Sequence, residues 1–235
     1  MRMKRYQIRE KLREGLFRAE DIQTGRTVII KESGKEETER ILPVHPGICR
    51  RTDIFEENDV YLQVFEYIPG RTLKEPGVLS VSQAAEILCR LTEILEELYG
   101  MEEHWIYGDL KPSNIIADEN GRVCLIDTES LFSAANGTGA GYATKGYAAP
   151  EQFGPSPKAD ERSEVFSIGS IFLELITGVS LKKMNYEIIP AGNVKQPLSG
   201  TQADKVIGKC LRINPSERYQ TLHELRTALN ELRED

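Results

Sequence analysis

The first part of the chain alternates hydrophobic and polar residues at the period of a β-strand. Residues 6–12 follow this pattern, and shorter strand-like segments lie at 16–20, 26–32, 52–55 and 60–66. Successive side chains of a strand point to opposite faces, so these segments predict a small antiparallel sheet connected by short turns. The polar residues 33–42 have room for about two helical turns before Pro43 ends the helix.

From Ser80 onward the apolar period becomes that of an α-helix. Ser80 and Gln83 have the spacing of a capping box, and apolar residues then recur on one helical face as far as Leu98. Similar patterns predict three further helices, at residues 163–177, 202–211 and 221–232. A small sheet part followed by a larger helical part makes the expected fold class α+β.

An Asn-Gly pair at Asn120-Gly121 predicts a tight turn between two short apolar segments, residues 115–116 and 123–126. Two-residue hairpin turns favour Asn-Gly because both positions must accept positive φ angles. The hairpin is expected to bring Asn114, at its start, close to Asp127, at its end. Both side chains can then reach one metal ion.

Composition and charge restrict the classes of function. The 235 residues are 40% hydrophobic and 29% charged, and the net charge of -7 argues against a general nucleic-acid binder. The longest apolar segment, residues 165–176, is too short to span a bilayer, so no membrane association is expected. No signal peptide is visible, and a cytoplasmic location is expected. Widely spaced cysteines without metal-binding or redox spacing are expected to be reduced thiols: Cys49, Cys89, Cys124 and Cys210.

Several motifs occur in the order found in phosphate-transferring enzymes. Residues 107–114 are YGDLKPSN, followed by LIDTE at 125–129 and AAPEQ at 148–152. This order of a catalytic-loop Asp and Asn, a metal-binding Asp and Ala-Pro-Glu resembles the protein-kinase signature. Five further segments resemble landmarks of that family: VIIK at 28–31, HPGI at 45–48, VFEYIPGRTL at 64–73, RSEVFSIG at 162–169 and INPSERY at 213–219.

The resemblance covers nearly the whole chain and is to the eukaryotic-like Ser/Thr protein kinases of the compact bacterial type. It implies an α+β, two-lobed fold. Residues 1–67 would form a nucleotide-binding N-lobe with a small antiparallel sheet and a short helix. Residues 68–235 would form a larger, mainly helical C-lobe for catalysis and substrate binding. The implied reaction transfers the γ-phosphate of ATP, bound with Mg²⁺, to Ser or Thr hydroxyls of protein substrates.

The resemblance assigns catalytic roles to five side chains. Asp109 would orient the attacking hydroxyl and accept its proton, and Lys111 would steady the γ-phosphate. Thr144, in TKGYAAPE, would bridge these two residues near the substrate hydroxyl. Asn114 and Asp127 would supply the oxygen ligands that Mg²⁺ prefers.

The resemblance also implies a set of nucleotide contacts. Lys31, at the end of the apolar VIIK segment, would hold the α- and β-phosphates. The backbone of Glu66 and Ile68 falls where the inter-lobe hinge of the family hydrogen-bonds adenine, and Phe65 would stand behind it as the gatekeeper. The remaining expected contacts are Gly15, Ile29 and Ile116.

Three departures from the family pattern bear on nucleotide binding. The glycine-rich loop that covers the phosphates is reduced to the single Gly15 of KLREGLFRAED. Ile29 stands where an alanine normally touches adenine, which narrows the expected pocket. The regulatory helix is curtailed, and the sequence leaves open which of three glutamates pairs with Lys31: Glu36, Glu37 or Glu39.

Further departures lie in the catalytic segments. Residues 127–129, Asp-Thr-Glu, replace Asp-Phe-Gly, and residues 107–108, Tyr-Gly, replace His-Arg. Without that arginine no cation is expected there to pair with an activation-loop phosphate, so activity is expected not to require loop phosphorylation. Glu164 replaces an aspartate that braces the catalytic loop. Glu151 and Arg218 match the buried ion pair of the family.

Three hypotheses of function remain open on the sequence. An active Ser/Thr kinase is favoured by the complete catalytic set described above. A pseudokinase, which acts as a nucleotide-binding or interaction module, is suggested by the missing glycines and the altered Asp-Phe-Gly. A small-molecule phosphotransferase is suggested because Tyr-Gly-Asp resembles the His-Gly-Asp of aminoglycoside kinases. Lys111, Thr144 and Arg218 argue against the last, since they belong to a platform for protein substrates. The substrate and the oligomeric state are not encoded.

Overall fold

The structure is a computed structural model that describes residues 5–75, 77–134, 143–153, 158–180 and 200–233. The chain divides into two compact units, Met1–Pro69 and Gly70–Asp235. The first unit contains a sheet and one short helix, and the second is mainly helical, which confirms the predicted α+β class. The roles expected for residues 1–67 and 68–235 stay predictions.

The first unit is built on a five-stranded antiparallel sheet and one short helix. Its elements are β1 (Tyr6–Arg13), β2 (Leu16–Asp21), β3 (Arg26–Ser33), α1 (Lys35–Glu39), β4 (Arg51–Glu57) and β5 (Val60–Glu66). The strands lie in the order β1-β2-β3-β5-β4. Asn58 and Asp59 both have positive φ angles in the turn from β4 to β5. This geometry is typical of two-residue hairpin turns and confirms the turn predicted there.

Alternate residues of the strands form the core of this unit. The buried positions on the central strands are Ala19, Val28, Ile30, Leu62 and Val64. Their spacing of two is the one at which strand side chains share a face. Tyr6 of β1 stacks on Phe55 of β4 with ring centroids 5.7 Å apart. The two outermost strands of the sheet therefore approach each other across this core.

Two segments of the first unit differ from the sequence prediction. Ile8 and Leu12 of β1 are 43% and 45% exposed, although they share the alternation of buried Tyr6. β1 is an edge strand whose register with β2 shifts twice between Ile8 and Arg13, so the two-residue alternation is interrupted before Leu12. Ile8 keeps the register of Tyr6 and is exposed at the edge of the sheet. Helix α1 is shorter than the predicted segment 33–42, because Arg40 already has an extended backbone.

The second unit is a group of packed helices. Its helices are α2 (Val81–Tyr99), α3 (Glu161–Thr177), α4 (Gln202–Cys210) and α5 (Leu222–Glu231). α2 packs against α3 and α5, and α3 packs against α4. The Ser80 hydroxyl accepts a hydrogen bond from the Gln83 N–H at 3.2 Å, and the Gln83 side chain accepts one from the Ser80 N–H at 3.1 Å. The predicted capping box is therefore confirmed.

Two small sheets lie beside these helices. One joins β6 (Arg71–Thr72), β8 (Ile115–Ala117) and β9 (Val123–Leu125), and the other joins β7 (Trp105–Ile106) to β10 (Phe132–Ser133). The β8-β9 hairpin pairs Ile115 with Leu125, which confirms the predicted hairpin. Its turn is longer than the predicted two-residue turn, because residues 118–122 connect the strands and Gly121, but not Asn120, has a positive φ. Strands β6, β7 and β10 were not predicted, because two residues are too few to show a period.

The four cysteines are free and buried in the described part of the chain. None of them forms a disulfide in this structure, and reduced thiols stay a prediction. No helix in that part combines the length and the apolar character needed to cross a membrane.

Candidate active site

Asp109, Lys111 and Thr144 form a hydrogen-bonded triangle in the second unit. The Thr144 hydroxyl donates to Asp109 Oδ1 at 2.6 Å and accepts from Lys111 Nζ at 3.2 Å. Lys111 Nζ also donates to Asp109 Oδ2. The Asp109 side chain keeps 12% of its surface exposed. One carboxylate is thus held in place from both sides, with a cation beside it, and still reaches solvent.

The backbone that leads into Asp109 is held from two directions. The buried carboxyl of Glu164 accepts a hydrogen bond from the Tyr107 N–H at 2.6 Å, and the Gln152 side chain donates to the Gly108 carbonyl at 2.8 Å. Gly108 has a φ of +78°, and a Cβ there would lie 2.7 Å from the Phe132 ring. Glycine is therefore required at position 108 on both conformational and steric grounds.

Tyr107 connects the catalytic loop to the segment that carries Asp127. Its hydroxyl donates to the Ile126 carbonyl and lies 3.3 Å from the Asp127 carbonyl. Burial raises the pKa of the Tyr107 phenol well above its ordinary value, so at neutral pH it is a donor. Asp127 has a left-handed backbone, with φ 65° and ψ 58°. This conformation is uncommon outside glycine, and the contacts of its carbonyl help to hold it.

Asn114 and Asp127 are brought together by the β8-β9 hairpin. The Asn114 side-chain nitrogen donates to the Asp109 carbonyl at 3.1 Å, and the Asn114 carbonyl accepts from the Ile126 N–H at 2.9 Å. Because the amide nitrogen of Asn114 is directed to Asp109, its amide oxygen is the group left to act as a ligand. One amide oxygen and one carboxylate are hard donors, and they fit Mg²⁺.

Such a site is not visible as a cluster of acidic side chains. The described residues contain no group of three or more His, Cys, Asp or Glu side chains suited to a metal ion. The expected pair contributes one carboxylate and one amide, and Mg²⁺ usually completes its coordination with water and substrate phosphate oxygens. The donor set is therefore consistent with a nucleotide-dependent Mg²⁺ site.

Three of the predicted nucleotide contacts lie in the first unit, namely Ile29, Lys31 and Gly15. Ile29 and Lys31 occupy alternate positions of β3, opposite Phe65 and Gln63 of β5. By strand geometry they point away from the core face of the same strand. Gly15 has a φ of +66° in a two-residue turn between β1 and β2, and its carbonyl accepts from the Glu32 N–H at 2.8 Å. A tight hairpin therefore stands where the family has its glycine-rich loop.

Two of the three glutamates of α1 make local contacts at that helix. The Glu37 side chain accepts from the Gly34 N–H at 2.8 Å and so caps the helix. Glu39 lies 3.9 Å from the ammonium of Lys35. Glu36 is exposed. The choice of a partner for Lys31 stays with the three glutamates named from the sequence.

The predicted adenine-binding segment is ordered by its neighbours. The Glu66 N–H donates to the Arg50 carbonyl at 3.0 Å, and the Glu66 carbonyl accepts from Cys49 Sγ at 3.2 Å. A carbonyl oxygen has two lone pairs, so this contact leaves one for a ligand. Phe65 and Ile68 are buried. In the second unit, Ile116 of β8 lies opposite Cys124 of β9.

The AAPEQ segment is fixed by the predicted ion pair. Arg218 donates to the two carboxylate oxygens of Glu151 at 2.6 and 2.8 Å. It also donates to the carbonyls of Arg162, Arg212 and Ile213 at 2.8 to 3.0 Å. The guanidinium is fully buried and its fork geometry suits a bidentate carboxylate. The pairing predicted from the sequence is confirmed.

Glu164 is a buried acid with an unusual titration. Burial raises its pKa to about 8 from the ordinary value of 4.5. Its Oε1 accepts from Tyr107, while Oε2 has no hydrogen-bond partner among the described residues. In the folded chain the carboxyl is therefore neutral over a pH range in which an unfolded glutamate is ionised.

This difference predicts a pH dependence of stability. Between the ordinary and the raised pKa the folded state binds more protons than the unfolded state, so stability falls as pH rises towards and through about 8. Replacing Glu164 by glutamine keeps the acceptor for Tyr107 and removes the titration. We expect the free energy of unfolding of the wild type, measured with urea, to fall by roughly 2–5 kcal/mol between about pH 5 and about pH 9. This fall should be absent from Glu164→Gln. Exposed Glu102→Gln is the control, and an equal loss in all three proteins contradicts the prediction.

Sequence inspection missed two contacts of this site. The first is the Gln152 side chain on the Gly108 carbonyl, and the second is the Tyr107 hydroxyl on the Ile126 and Asp127 carbonyls. Each joins a side chain to main-chain atoms that any residue type supplies. The signal available was the presence of a large polar residue at each position, directly beside a recognised motif.

The comparisons with known proteins agree with this geometry. The protein kinase domain family matches residues 18–229. A probable serine/threonine-protein kinase of Clostridium perfringens is 27% identical over 226 residues, which cover 88% of this chain and 32% of the relative. The serine/threonine-protein kinase PrkC of Bacillus subtilis is 26% identical over 200 residues, with 77% of this chain and 30% of the relative covered. A probable serine/threonine-protein kinase of Corynebacterium efficiens is 31% identical over 209 residues, with 77% and 31% covered.

The chain belongs to the protein kinase domain family. The match extends over most of the sequence and includes both compact units. The chain spans about a third of the length of the curated relatives it matches.

Proposed function

We propose that this chain is a Ser/Thr protein kinase that transfers the γ-phosphate of Mg-ATP to hydroxyl groups of protein substrates. The observation that carries the proposal is the triangle of Asp109, Lys111 and Thr144. A carboxylate, an ammonium and a hydroxyl in mutual contact provide a proton acceptor beside a phosphate-binding cation. The names of the relatives as serine/threonine kinases support the same assignment.

In the proposed reaction one bond to the γ-phosphorus forms and one breaks. The hydroxyl oxygen of a substrate Ser or Thr attacks the γ-phosphorus, and the bond to the bridging oxygen of ADP breaks. Asp109 orients the hydroxyl and takes its proton. Lys111 offsets the charge of the transferred phosphoryl group. Thr144 holds the side chains of Asp109 and Lys111 in position by hydrogen bonds to both. Asn114 and Asp127 would hold Mg²⁺, which would neutralise phosphate charge.

The nucleotide would be held mainly by residues of the first unit. Lys31 would bind phosphate oxygens, and the backbone of Glu66 and Ile68 would bind adenine. Ile29, Phe65 and Gly15 would supply the remaining contacts of this unit, and the contact expected from the second unit is Ile116. Residues 1–67 would then be the nucleotide-binding lobe and residues 68–235 the catalytic lobe.

A pseudokinase is the second candidate function. The tight turn at Glu14-Gly15 favours it, because a two-residue hairpin offers fewer backbone N–H groups to phosphates than a glycine-rich loop does. A small-molecule phosphotransferase is less well supported, since the bond between Lys111 and Thr144 and the Glu151–Arg218 pair belong to a platform for protein substrates.

Transfer of labelled γ-phosphate distinguishes these functions. The purified chain is incubated with Mg-ATP alone and with a generic basic protein, beside the Asp127→Asn variant. We expect label on Ser or Thr, and a rate at least about 100-fold lower in Asp127→Asn, because one metal-binding carboxylate is lost. Absence of label from the wild type, together with a rise of its melting temperature in Mg-ATP, would establish the pseudokinase instead. Absence of both effects contradicts the active kinase and the nucleotide-binding form of the pseudokinase.

A further inference from the structure

Gln152 is a buried side chain whose amide is oriented by two main-chain partners. It ends the short 3₁₀ turn Pro150–Gln152 and is 5% exposed. Its Oε1 accepts from the Ala149 N–H at 2.8 Å, and its Nε2 donates to the Gly108 carbonyl at 2.8 Å. The amide cannot be flipped, because a flip would place oxygen against oxygen and nitrogen against nitrogen.

The carbonyl that Gln152 binds belongs to the peptide bond between Gly108 and Asp109. A peptide group is planar, so fixing its oxygen also fixes the direction of its N–H and of the following Cα. Gly108 itself, with a φ of +78°, provides little local preference for one orientation. The hydrogen bond from Gln152 therefore restricts the peptide from which the Asp109 side chain projects.

Gln152 also belongs to the segment that is docked by the Glu151–Arg218 pair. Glu151 is its neighbour in the same turn, and its carboxylate is bound by the buried guanidinium. The buried ion pair therefore sets the position of this segment. The next residue in the segment, Gln152, then hydrogen-bonds to the catalytic loop.

We propose that Gln152 is a positioning residue that holds the Gly108–Asp109 peptide and so aims the Asp109 carboxylate at the incoming hydroxyl. The proposal rests on the proposed kinase function for its catalytic consequence. Its structural part, the restriction of the catalytic loop by Gln152, is independent of that function. Gln152 contacts neither substrate nor nucleotide in this role and acts through the backbone.

The isosteric variant Gln152→Glu tests the hydrogen bond directly. The carboxyl keeps an acceptor for Ala149 but places a second oxygen against the Gly108 carbonyl. When ionised it repels that carbonyl, and when protonated it donates an O–H to it. We expect kcat at about pH 8.5 to fall between about 10- and 100-fold, while the KM for ATP changes by less than about threefold. The ratio of variant to wild-type kcat should then rise as pH is lowered to about 6.

Gln152→Leu and Gln220→Leu complete the test. Leucine at 152 removes the donor at every pH, so its kcat ratio should be low and independent of pH. Gln220 is exposed, and its side chain donates hydrogen bonds to the Pro215, Ser216 and Arg218 carbonyls. Gln220→Leu is therefore the matched control, because it also removes hydrogen bonds from a glutamine side chain to the main chain. Its kcat should stay within about twofold of the wild type.

Amide hydrogen exchange provides a measurement that does not need activity. Peptides that contain residues 107–111 should exchange at least about tenfold faster in Gln152→Leu than in the wild type, and at the wild-type rate in Gln220→Leu. Unchanged exchange in Gln152→Leu, or a Gln152→Glu kcat ratio that does not depend on pH, overturns the proposal. Absence of transfer activity from the wild type would contradict the proposed kinase function. The exchange comparison would then still test whether Gln152 restricts the catalytic loop.

Discussion

The Asp109→Asn variant is expected to transfer phosphate between about 100- and 10,000-fold more slowly than the wild type while keeping its fold. Asparagine has the shape of aspartate and keeps an oxygen that can accept from the Thr144 hydroxyl. Asparagine cannot take the proton of the attacking Ser or Thr hydroxyl. It also lacks the negative charge that pairs with Lys111. The loss should therefore appear in kcat, because ATP binding uses other residues.

The matched control for this variant is Asp118→Asn. Asp118 is a carboxylate of the same unit, and it accepts from the N–H groups of Asn120 and Arg122 in the hairpin turn. Asparagine serves that turn equally well, so its rate should remain within about twofold of the wild type. Steady-state kinetics and the rise of melting temperature in Mg-ATP are measured for both. A rate near the wild type in Asp109→Asn would remove Asp109 from the role of proton acceptor.

The elements that the sequence predicted are those with a clear period or a clear boundary. Helix α2 combines a capping box at Ser80 with a long apolar face, and both signals are local. The β8-β9 hairpin was indicated by the Asn120-Gly121 pair, and of these two residues Gly121 has the positive φ angle that favours glycine. The exposure of Ile8 and Leu12 could not be predicted in the same way. For Leu12 it follows from the register shifts between β1 and β2, and for Ile8 from the position of β1 at the edge of the sheet. Both depend on how β1 pairs with a second segment of chain.

The candidate site shows the same division between local and distant information. Asp109, Lys111 and Asn114 lie within six residues of one another, so their proximity is set by the turn they share. Thr144 and Arg218 were placed by resemblance to a family, since nothing local indicates that either reaches a carboxylate far along the chain. The contact of Gln152 with Gly108 joins residues 44 positions apart through a main-chain oxygen. No side-chain pattern encodes such a partner, and only the folded backbone reveals it.

Arg218→Ala is expected to have the largest effect on stability. Its guanidinium is fully buried and makes five hydrogen bonds, two to Glu151 and three to backbone carbonyls. Alanine removes all of them and leaves the Glu151 carboxylate, itself 21% exposed, without its cation. Breaking a buried pair in this way costs about 3–5 kcal/mol of the free energy of unfolding. For a chain of this size the melting temperature should fall by roughly 6–20 °C.

Arg226→Ala is the control that separates burial from charge. Arg226 also pairs with a carboxylate, with Nε 3.0 Å from Glu96 Oε2, but its side chain is 29% exposed. Solvent-exposed pairs contribute about 0–1 kcal/mol, so its melting temperature should fall by no more than about 4 °C. Thermal and urea unfolding of the two variants and the wild type at one pH provide the comparison. If both variants lose the same stability, burial of the Glu151–Arg218 pair contributes nothing beyond the charge of one arginine. The AAPEQ segment would then have to be held by other contacts.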